Sequence, residues 1–233
     1  MSKKLLVAST STVHGSGYLE YLNDEIKDFF NGVDEIIFVP YARPGGISHD
    51  AYTSTVREKF REFGVKVKGL HESEDPIQEL LNAKGVFTGG GNTFLLLKTL
   101  YDLSLIGVLR IRIEAGMPYM GTSAGSNILG LTIGTTNDMP VVYPPSYDAI
   151  GVLDFNLNPH FLDPDPNSTH KGETRDTRIG EFLVYNEIKV VGLREGSWLR
   201  VKGDEISLKG PLTARIFSKG QATYEHDPGK LNI

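Results

Sequence analysis

The sequence contains no cysteine, which excludes disulfide bonds, thiolate catalysis and zinc sites built from cysteine. It also has no long apolar run near its start, where Leu5-Leu6-Val7-Ala8 is far shorter than a signal-peptide core or a membrane span. The net charge of -5 gives no electrostatic reason to expect nucleic acid or an anionic membrane as a partner. We therefore expect a cytoplasmic enzyme or binding protein without nucleic-acid or membrane partners.

Internal repeats, low-complexity tracts and linkers are also absent from the 233 residues, so we expect one α/β domain over residues 1–233. In the first half, short β-branched runs alternate with amphipathic stretches. This alternation predicts a mainly parallel, doubly wound sheet with helices on both faces. The predicted strands are residues 4–9, 35–39, 65–69, 84–88 and 117–122, and the predicted helices are residues 17–30, 50–63, a short helix after Asp75-Pro76, a helix from about Thr93, and residues 104–115.

The C-terminal third has a different pattern. A predicted helix near residues 172–185 is followed by short apolar runs separated by turn pairs such as Lys202-Gly203. Closely spaced runs of this kind are typical of antiparallel strands. We expect the runs at 188–193, 198–202, 204–208 and 212–218 to extend the same sheet in antiparallel fashion.

Gly121-Thr122-Ser123-Ala124-Gly125 has the pattern of a nucleophile elbow, a tight strand-to-helix turn that needs small residues two positions before and after the nucleophile. An apolar strand precedes it and a small-residue helix, from Ala124 to Leu131, is predicted after it. The turn would aim the backbone N–H of Ala124 at an oxyanion that develops on the substrate. A buried turn with an incidental serine is the alternative, but the context favours Ser123 as a nucleophile.

Gly89-Gly90-Gly91 follows the fourth predicted strand, at the sheet edge where open α/β folds bind ligands. Glycines allow a close backbone approach, so we expect these residues to donate N–H groups as the second half of an oxyanion hole. The loop could instead hold a phosphate or form only a tight turn. Because no P-loop lysine and no GxGxxG motif are present, we expect no nucleotide cofactor.

A serine nucleophile needs a base and a group that orients it. Of the six histidines, His160 and His170 are best placed, and His160 is favoured because it directly follows the apolar run of residues 152–157. Asp138 and Glu195 are both candidate orienting acids, each at the boundary of an apolar segment. The residue pattern alone leaves the choice between these acids open.

Arg175 and Arg178 share one face of the predicted helix near residues 172–185. An arginine there could clamp a substrate carboxylate, although a solvated helix face is an equal alternative. The group formed by Asp163-Pro164-Asp165 and His170 could suggest a metal site. Because prolines interleaved with acids are more typical of a polar loop, we expect no metal.

With these residues in view, the chain closely resembles the peptidase E family of α-aspartyl dipeptidases over nearly its whole length. Six motifs in order carry the resemblance: residues 89–94 (GGGNTF), 123–125 (SAG), 135–140 (TTNDMP), 158–161 (NPHF), 170–175 (HKGETR) and 195–196 (EG). Thr122 departs from the pattern, since some members carry Trp before the nucleophile. This change bears on fine specificity rather than on mechanism.

The resemblance implies a sheet like that of class I glutamine amidotransferases, with serine instead of cysteine at the elbow. It implies hydrolysis of Asp-Xaa dipeptides without metal or cofactor, by a monomer or homodimer acting on small peptides. Ser123 would be the nucleophile, His160 the base, Glu195 the favoured partner of His160 and Asp138 a second functional acid. Arg175 would be the counter-ion of the substrate β-carboxylate, and Asn92 would contact the substrate.

Two further functions stay open from the sequence. The same elbow would serve an esterase or an amidase for other acidic amides, including isoaspartyl or cyanophycin-type substrates. A non-enzymatic binding protein with an inert Ser123 is the third possibility.

Overall fold

The computed structural model of the protein describes residues 2–165, 167, 169 and 172–233. The alternative base His170 therefore lies outside the described residues. Within them, no helix is long and apolar enough to cross a membrane.

The five predicted strands of the first half form the parallel part of an eight-stranded sheet, which confirms the α/β prediction. They are β1 (Lys4–Ala8), β2 (Glu35–Val39), β3 (Lys66–Gly69), β4 (Val86–Thr88) and β5 (Pro118–Thr122). The parallel neighbours run in the order β1, β5, β4, β2, β3. This order places the carboxyl ends of β1, β4 and β5 side by side.

Seven helices connect or flank the strands within the described residues. They are α1 (Asn23–Phe29), α2 (His49–Arg61), α3 (Pro76–Asn82), α4 (Thr93–Asp102), α5 (Ile106–Glu114), α6 (Ala124–Asn127) and α7 (Arg175–Tyr185). Two of them, α1 and α6, are only half as long as predicted. Residues 17–22 do not join α1, because Leu19 has a positive φ of 56° and a separate 3-10 turn covers Glu20–Leu22. The helix α6 ends at Asn127, whose side chain turns inward to donate to the Leu157 carbonyl oxygen at 3.0 Å.

The C-terminal strands divide between two sheets. β8 (Trp198–Lys202), β9 (Glu205–Lys209) and β12 (Gly229–Lys230) extend the main sheet in antiparallel fashion beyond β1, as predicted for the runs at 198–202 and 204–208. A second sheet has the order β11 (Tyr224–His226), β10 (Ala214–Phe217), β7 (Val190–Leu193), β6 (Asn156–Pro159).

The prediction that the runs at 188–193 and 212–218 extend the same sheet is therefore wrong. Every residue of β7 is buried, and β7 pairs in parallel with β6 on one side and antiparallel with β10 on the other. A strand buried in this way needs cover on both faces and a neighbour on each edge. The apolar run alone does not show which sheet supplies them.

The two faces of the main sheet pack against separate clusters of apolar side chains. Leu5 and Val7 of β1 lie in one cluster, and Leu6 and Ala8 lie in the other. Successive side chains of a strand point to opposite faces, so an entirely apolar strand indicates cover on both. Burial on both sides fixes β1, β4 and β5, and with them the loops at their carboxyl ends.

Candidate active site

Ser123 occupies a strained strand-to-helix turn between β5 and α6. Its φ of 53° and ψ of -113° lie in a region that residues with a side chain rarely adopt. Two glycines make the turn possible: a Cβ on Gly121 would lie 2.3 Å from the Gly125 carbonyl oxygen, and one on Gly125 would lie 2.2 Å from the Thr88 carbonyl oxygen. The turn has the geometry expected of an elbow, with the Ser123 side chain at the carboxyl edge of the sheet.

His160 follows β6 directly and faces the elbow from the second sheet. Its Nε2 lies 2.8 Å from Ser123 Oγ. The residue has a positive φ of 54°, and its backbone N–H donates to Ser9 Oγ at 2.9 Å. The buried Ser9 hydroxyl in turn donates to the Leu193 carbonyl oxygen at 2.7 Å, so it joins β1 to β7 behind the histidine. Sequence reasoning missed Ser9, because a serine after an apolar strand carries no distinctive pattern.

Glu195 lies on the other side of the His160 ring, where its Oε1 is 2.6 Å from His160 Nδ1. It sits in the turn between β7 and β8, beside Gly196, which has a positive φ of 89°. Ser123, His160 and Glu195 thus form an unbroken chain of two hydrogen bonds. Such a chain can withdraw the serine proton and stabilise the imidazolium that results.

Asp138 lies close to the same site but not behind His160. Its Oδ2 accepts from the Thr93 backbone N–H at 2.7 Å, at the start of α4, and from the Thr136 hydroxyl at 3.3 Å. Its side chain lines a small cavity of about 20 Å³ together with Ser123 and His160. Of the two candidate acids, only Glu195 contacts the imidazole.

The triple-glycine loop packs directly against the nucleophile, since a Cβ on Gly90 would lie 3.0 Å from Ser123 Cβ. Two of its N–H groups already donate elsewhere: Gly89 N–H to the Val39 carbonyl oxygen at 3.2 Å and Gly90 N–H to the hydroxyl oxygen of the buried Tyr52 at 3.1 Å. The N–H groups of Gly91 and Ala124 have no acceptor within the described part of the chain. Of the four N–H groups predicted to form an oxyanion hole, these two are therefore not engaged within the described part of the chain.

Asn92 links the triple-glycine loop to the start of α4 and to the segment at Met139. Its Oδ1 accepts from the Leu95 N–H at 3.0 Å as the N-cap of α4, and its Nδ2 donates to the Met139 carbonyl oxygen at 2.8 Å. Both polar ends of the side chain are thus bound within the protein. This arrangement favours a structural role over the substrate contact expected from the sequence.

Arg175 is the first residue of α7 and is half-buried. Burial and the neighbouring Arg178 lower the pKa of its guanidinium, and the negative charge of Asp138 opposes that shift. Among the described residues, Arg175 forms no ion pair. Arg175 is not among the residues that line the cavity beside Ser123, and its link to the site is the electrostatic interaction with Asp138.

The described residues include one group with the composition of a metal site, formed by Asp50, His71 and Glu72. Glu72 already accepts two hydrogen bonds from the Arg57 guanidinium, each 2.6 Å long. Asp163, from the loop considered in the sequence, binds Arg194 at 2.7 Å. Each group therefore has at least one carboxylate that an arginine already binds.

The chain is similar to known peptidases over most of its length. The family model described as "Peptidase family S51" matches residues 5–209. The chain is 49% identical over 221 residues to "Peptidase E" of Streptomyces coelicolor, covering 95% of this chain and 90% of that protein. It is 45% identical over 230 residues to "Probable alpha-aspartyl dipeptidase" of Drosophila melanogaster, covering 97% and 95%.

The fold is also shared with a solved structure of a peptidase from an acI-B1 Actinobacterium, at a TM-score of 0.72 and 18% identity, covering 97% of this chain and 94% of that one. At this identity the likeness concerns the fold. The sequence matches, which span nearly the whole chain, decide the family. The chain belongs to peptidase family S51.

Proposed function

We propose that the protein is a serine dipeptidase that hydrolyses dipeptides with an N-terminal aspartate through an aspartyl-enzyme intermediate. The observation that carries this proposal is the chain from Ser123 Oγ to His160 Nε2, at 2.8 Å, and from His160 Nδ1 to Glu195, at 2.6 Å. A serine hydroxyl becomes an effective nucleophile only when a base is positioned in this way. The name of the Drosophila relative supports the aspartyl specificity.

The reaction proceeds in two halves. His160 removes the Ser123 proton as Oγ attacks the carbonyl carbon of the aspartyl residue, and Glu195 stabilises the imidazolium. The N–H groups of Gly91 and Ala124 bind the oxyanion. His160 then protonates the leaving amino group, and water repeats the sequence to release aspartate and free Ser123.

Specificity for aspartate is assigned to Arg175, which we propose as the counter-ion of the substrate β-carboxylate. A guanidinium matches a carboxylate through two parallel hydrogen bonds. Its half-buried position and the lack of an ion pair among the described residues support the assignment. A neutral residue at this position of the substrate would leave the guanidinium unpaired, which is costly in a partly desolvated site.

The proposal includes a cytoplasmic enzyme that acts on small peptides as a monomer or homodimer, without metal or cofactor. Sedimentation of the purified protein tests the oligomeric state.

Replacement of the nucleophile tests the mechanism. Ser123→Ala should abolish Asp-Leu hydrolysis, because no other hydroxyl lies against His160 Nε2 in the described residues. Thermal unfolding should show a folded protein. A variant with retained turnover would exclude Ser123 as the nucleophile, and wild-type protein that a fluorophosphonate does not label would favour a non-enzymatic binding protein.

A substrate panel tests the specificity. With Asp-Leu, Asn-Leu, isoAsp-Leu and a simple aspartyl ester, the wild-type enzyme should prefer Asp-Leu. Arg175→Ala should lower kcat/KM for Asp-Leu by about 10²-fold and bring it near that for Asn-Leu, since one charged hydrogen-bonded pair is lost. The exposed neighbour variant Arg178→Ala serves as the control. Unchanged preference for aspartate in Arg175→Ala would contradict the clamp.

A further inference from the structure

Asp138 is a carboxylate in the reaction cavity that the proton chain does not use. Glu195 occupies the only His160 ring nitrogen that does not face Ser123. Asp138 nevertheless shares the cavity wall with Ser123 and Ala124. A charged group beside a nucleophile, without a part in its proton chain, needs a separate explanation.

Only one oxygen of this carboxylate is engaged. Oδ2 accepts from the Thr93 N–H and the Thr136 hydroxyl, whereas Oδ1 has no hydrogen-bond partner among the described residues. No lysine or arginine of the described chain forms an ion pair with it. The charge is therefore anchored on one side and open to a ligand on the other.

The loop that carries Asp138 is held rigidly. The Asn137 side chain donates to the Pro159 carbonyl oxygen at 2.7 Å and accepts from Asn158 Nδ2 at 2.8 Å. These bonds tie the loop to β6 (Asn156–Pro159), the strand that His160 directly follows. The carboxylate is thus fixed relative to the base, as expected for a group that orients a substrate.

The proposed substrate supplies a cation at this place. Its α-ammonium is bonded to the carbon next to the scissile carbonyl, so it must lie close to Ser123 Oγ when Ser123 attacks. An ammonium group removed from water needs an acceptor, preferably an anion. Glu195 lies behind His160, and Arg175 would repel the ammonium, which leaves Asp138 as the carboxylate on the cavity wall.

We propose that Asp138 binds the α-ammonium of the substrate, so that Asp138 and Arg175 hold the two opposite charges of an N-terminal aspartyl residue. This assignment rests on the proposed function. It makes Asp138 the residue that restricts the enzyme to free N-termini. An N-terminal aspartyl residue bound between Asp138 and Arg175 would pair both of these charges at once, its ammonium with Asp138 and its β-carboxylate with Arg175.

A substrate that lacks only the α-amine tests the assignment. N-succinyl-leucine keeps the β-carboxylate and the scissile amide of Asp-Leu but replaces the ammonium with hydrogen. Wild-type enzyme should prefer Asp-Leu over it in kcat/KM by about 10²-fold, the discrimination expected for one partly buried charged hydrogen bond. Asp138→Asn should lose most of that preference by slowing Asp-Leu while leaving N-succinyl-leucine within about three-fold of wild type.

Asparagine is the informative replacement because its amide oxygen can still accept from the Thr93 N–H. If both substrates slow by the same factor, Asp138 acts through structure and the assignment is overturned. If neither slows, it is overturned as well. Glu195→Gln is the control, since a change in the proton chain should slow both substrates equally.

A measurement on wild-type enzyme removes the dependence on variant folding. Aspartate should inhibit Asp-Leu hydrolysis at a concentration about ten-fold or more below that required for succinate. Equal inhibition would overturn the ammonium site while leaving the peptidase intact. Wild-type enzyme that hydrolyses neither substrate would instead overturn the proposed function, and this assignment with it.

Discussion

His160 contacts its two neighbours through different ring nitrogens, and of the two candidate acids only Glu195 is one of these neighbours. Nε2 faces Ser123, so the orienting acid has to reach Nδ1 from the opposite side. In the sequence, Asp138 lies between Ser123 and His160, and Glu195 follows both. Chain order is uninformative here, because the same three-residue geometry recurs with unrelated orders in different folds.

Replacement of Glu195 tests its role as the acid that orients His160. Glu195→Gln should lower kcat for Asp-Leu by roughly 10²- to 10⁴-fold with little change in KM, because the amide cannot stabilise the imidazolium. Steady-state kinetics measure the effect. Glu58→Gln, on the exposed face of α2, is a matched control with no expected loss. A fall in kcat below ten-fold would argue that Glu195 is not the partner of His160 in the reaction.

At the scale of secondary-structure elements, the turn at Ser123 depends on how closely β4 approaches the connection between β5 and α6. β5 enters the turn and α6 leaves it so near to β4 that the Thr88 carbonyl oxygen occupies the space a side chain at Gly125 would need. Positive φ at Ser123 is therefore imposed by packing around the turn and not by the preference of serine. The sequence motif signals this packing because few residues other than glycine satisfy it.

A single added methyl group tests this packing. Gly125→Ala should lower the free energy of unfolding by roughly 1–3 kcal/mol or more, because the new Cβ meets backbone and not a movable side chain. Gly180→Ala in α7 is the matched control: nothing lies within 4 Å of its Cβ, so it should stabilise the helix by about 0.5–1 kcal/mol. Urea unfolding of both variants measures the difference. Equal stability of the two would contradict the close approach.

At the scale of the whole molecule, a network of charged side chains centred on Arg194 joins segments that are far apart in the sequence. The Arg194 guanidinium, adjacent to Glu195, binds both Asp163 oxygens at 2.9 and 2.7 Å. It also binds Glu225 of β11 at 2.8 Å and the Thr213 carbonyl oxygen at 2.9 Å. The network thus connects the segment after His160, the turn that carries Glu195 and the C-terminal strands.

This network should make stability depend on pH. Hydrogen bonds from Arg194 lower the pKa of Asp163 and the pKa of Glu225 below their ordinary values. An acid whose pKa is lower in the folded state stabilises the fold above its unfolded pKa of about 4, and this stabilisation is lost as the pH falls through the folded value.

The free energy of unfolding of Asp163→Asn should therefore fall below that of wild type at pH 7, and the gap should close as the pH decreases below about 4. Urea unfolding across pH 3 to 7 measures it. Asp154→Asn, an exposed position without an ion pair among the described residues, is the control. A gap that is independent of pH would show that the Asp163 charge does not stabilise the fold.

The sequence by itself determined the alternation of the five parallel strands and their helices, and it singled out the small-residue turn at Ser123 and the proposed base His160. These features are local: apolar periodicity reports burial, and glycine at fixed spacing reports a turn that excludes side chains. Only the tertiary structure decided that Glu195 contacts His160, that Tyr52 and Val39 take the N–H donors of Gly90 and Gly89, and that β7 and β10 belong to a second sheet. Each of these depends on which distant segments meet, and neither spacing nor composition of a single segment specifies its partner in space.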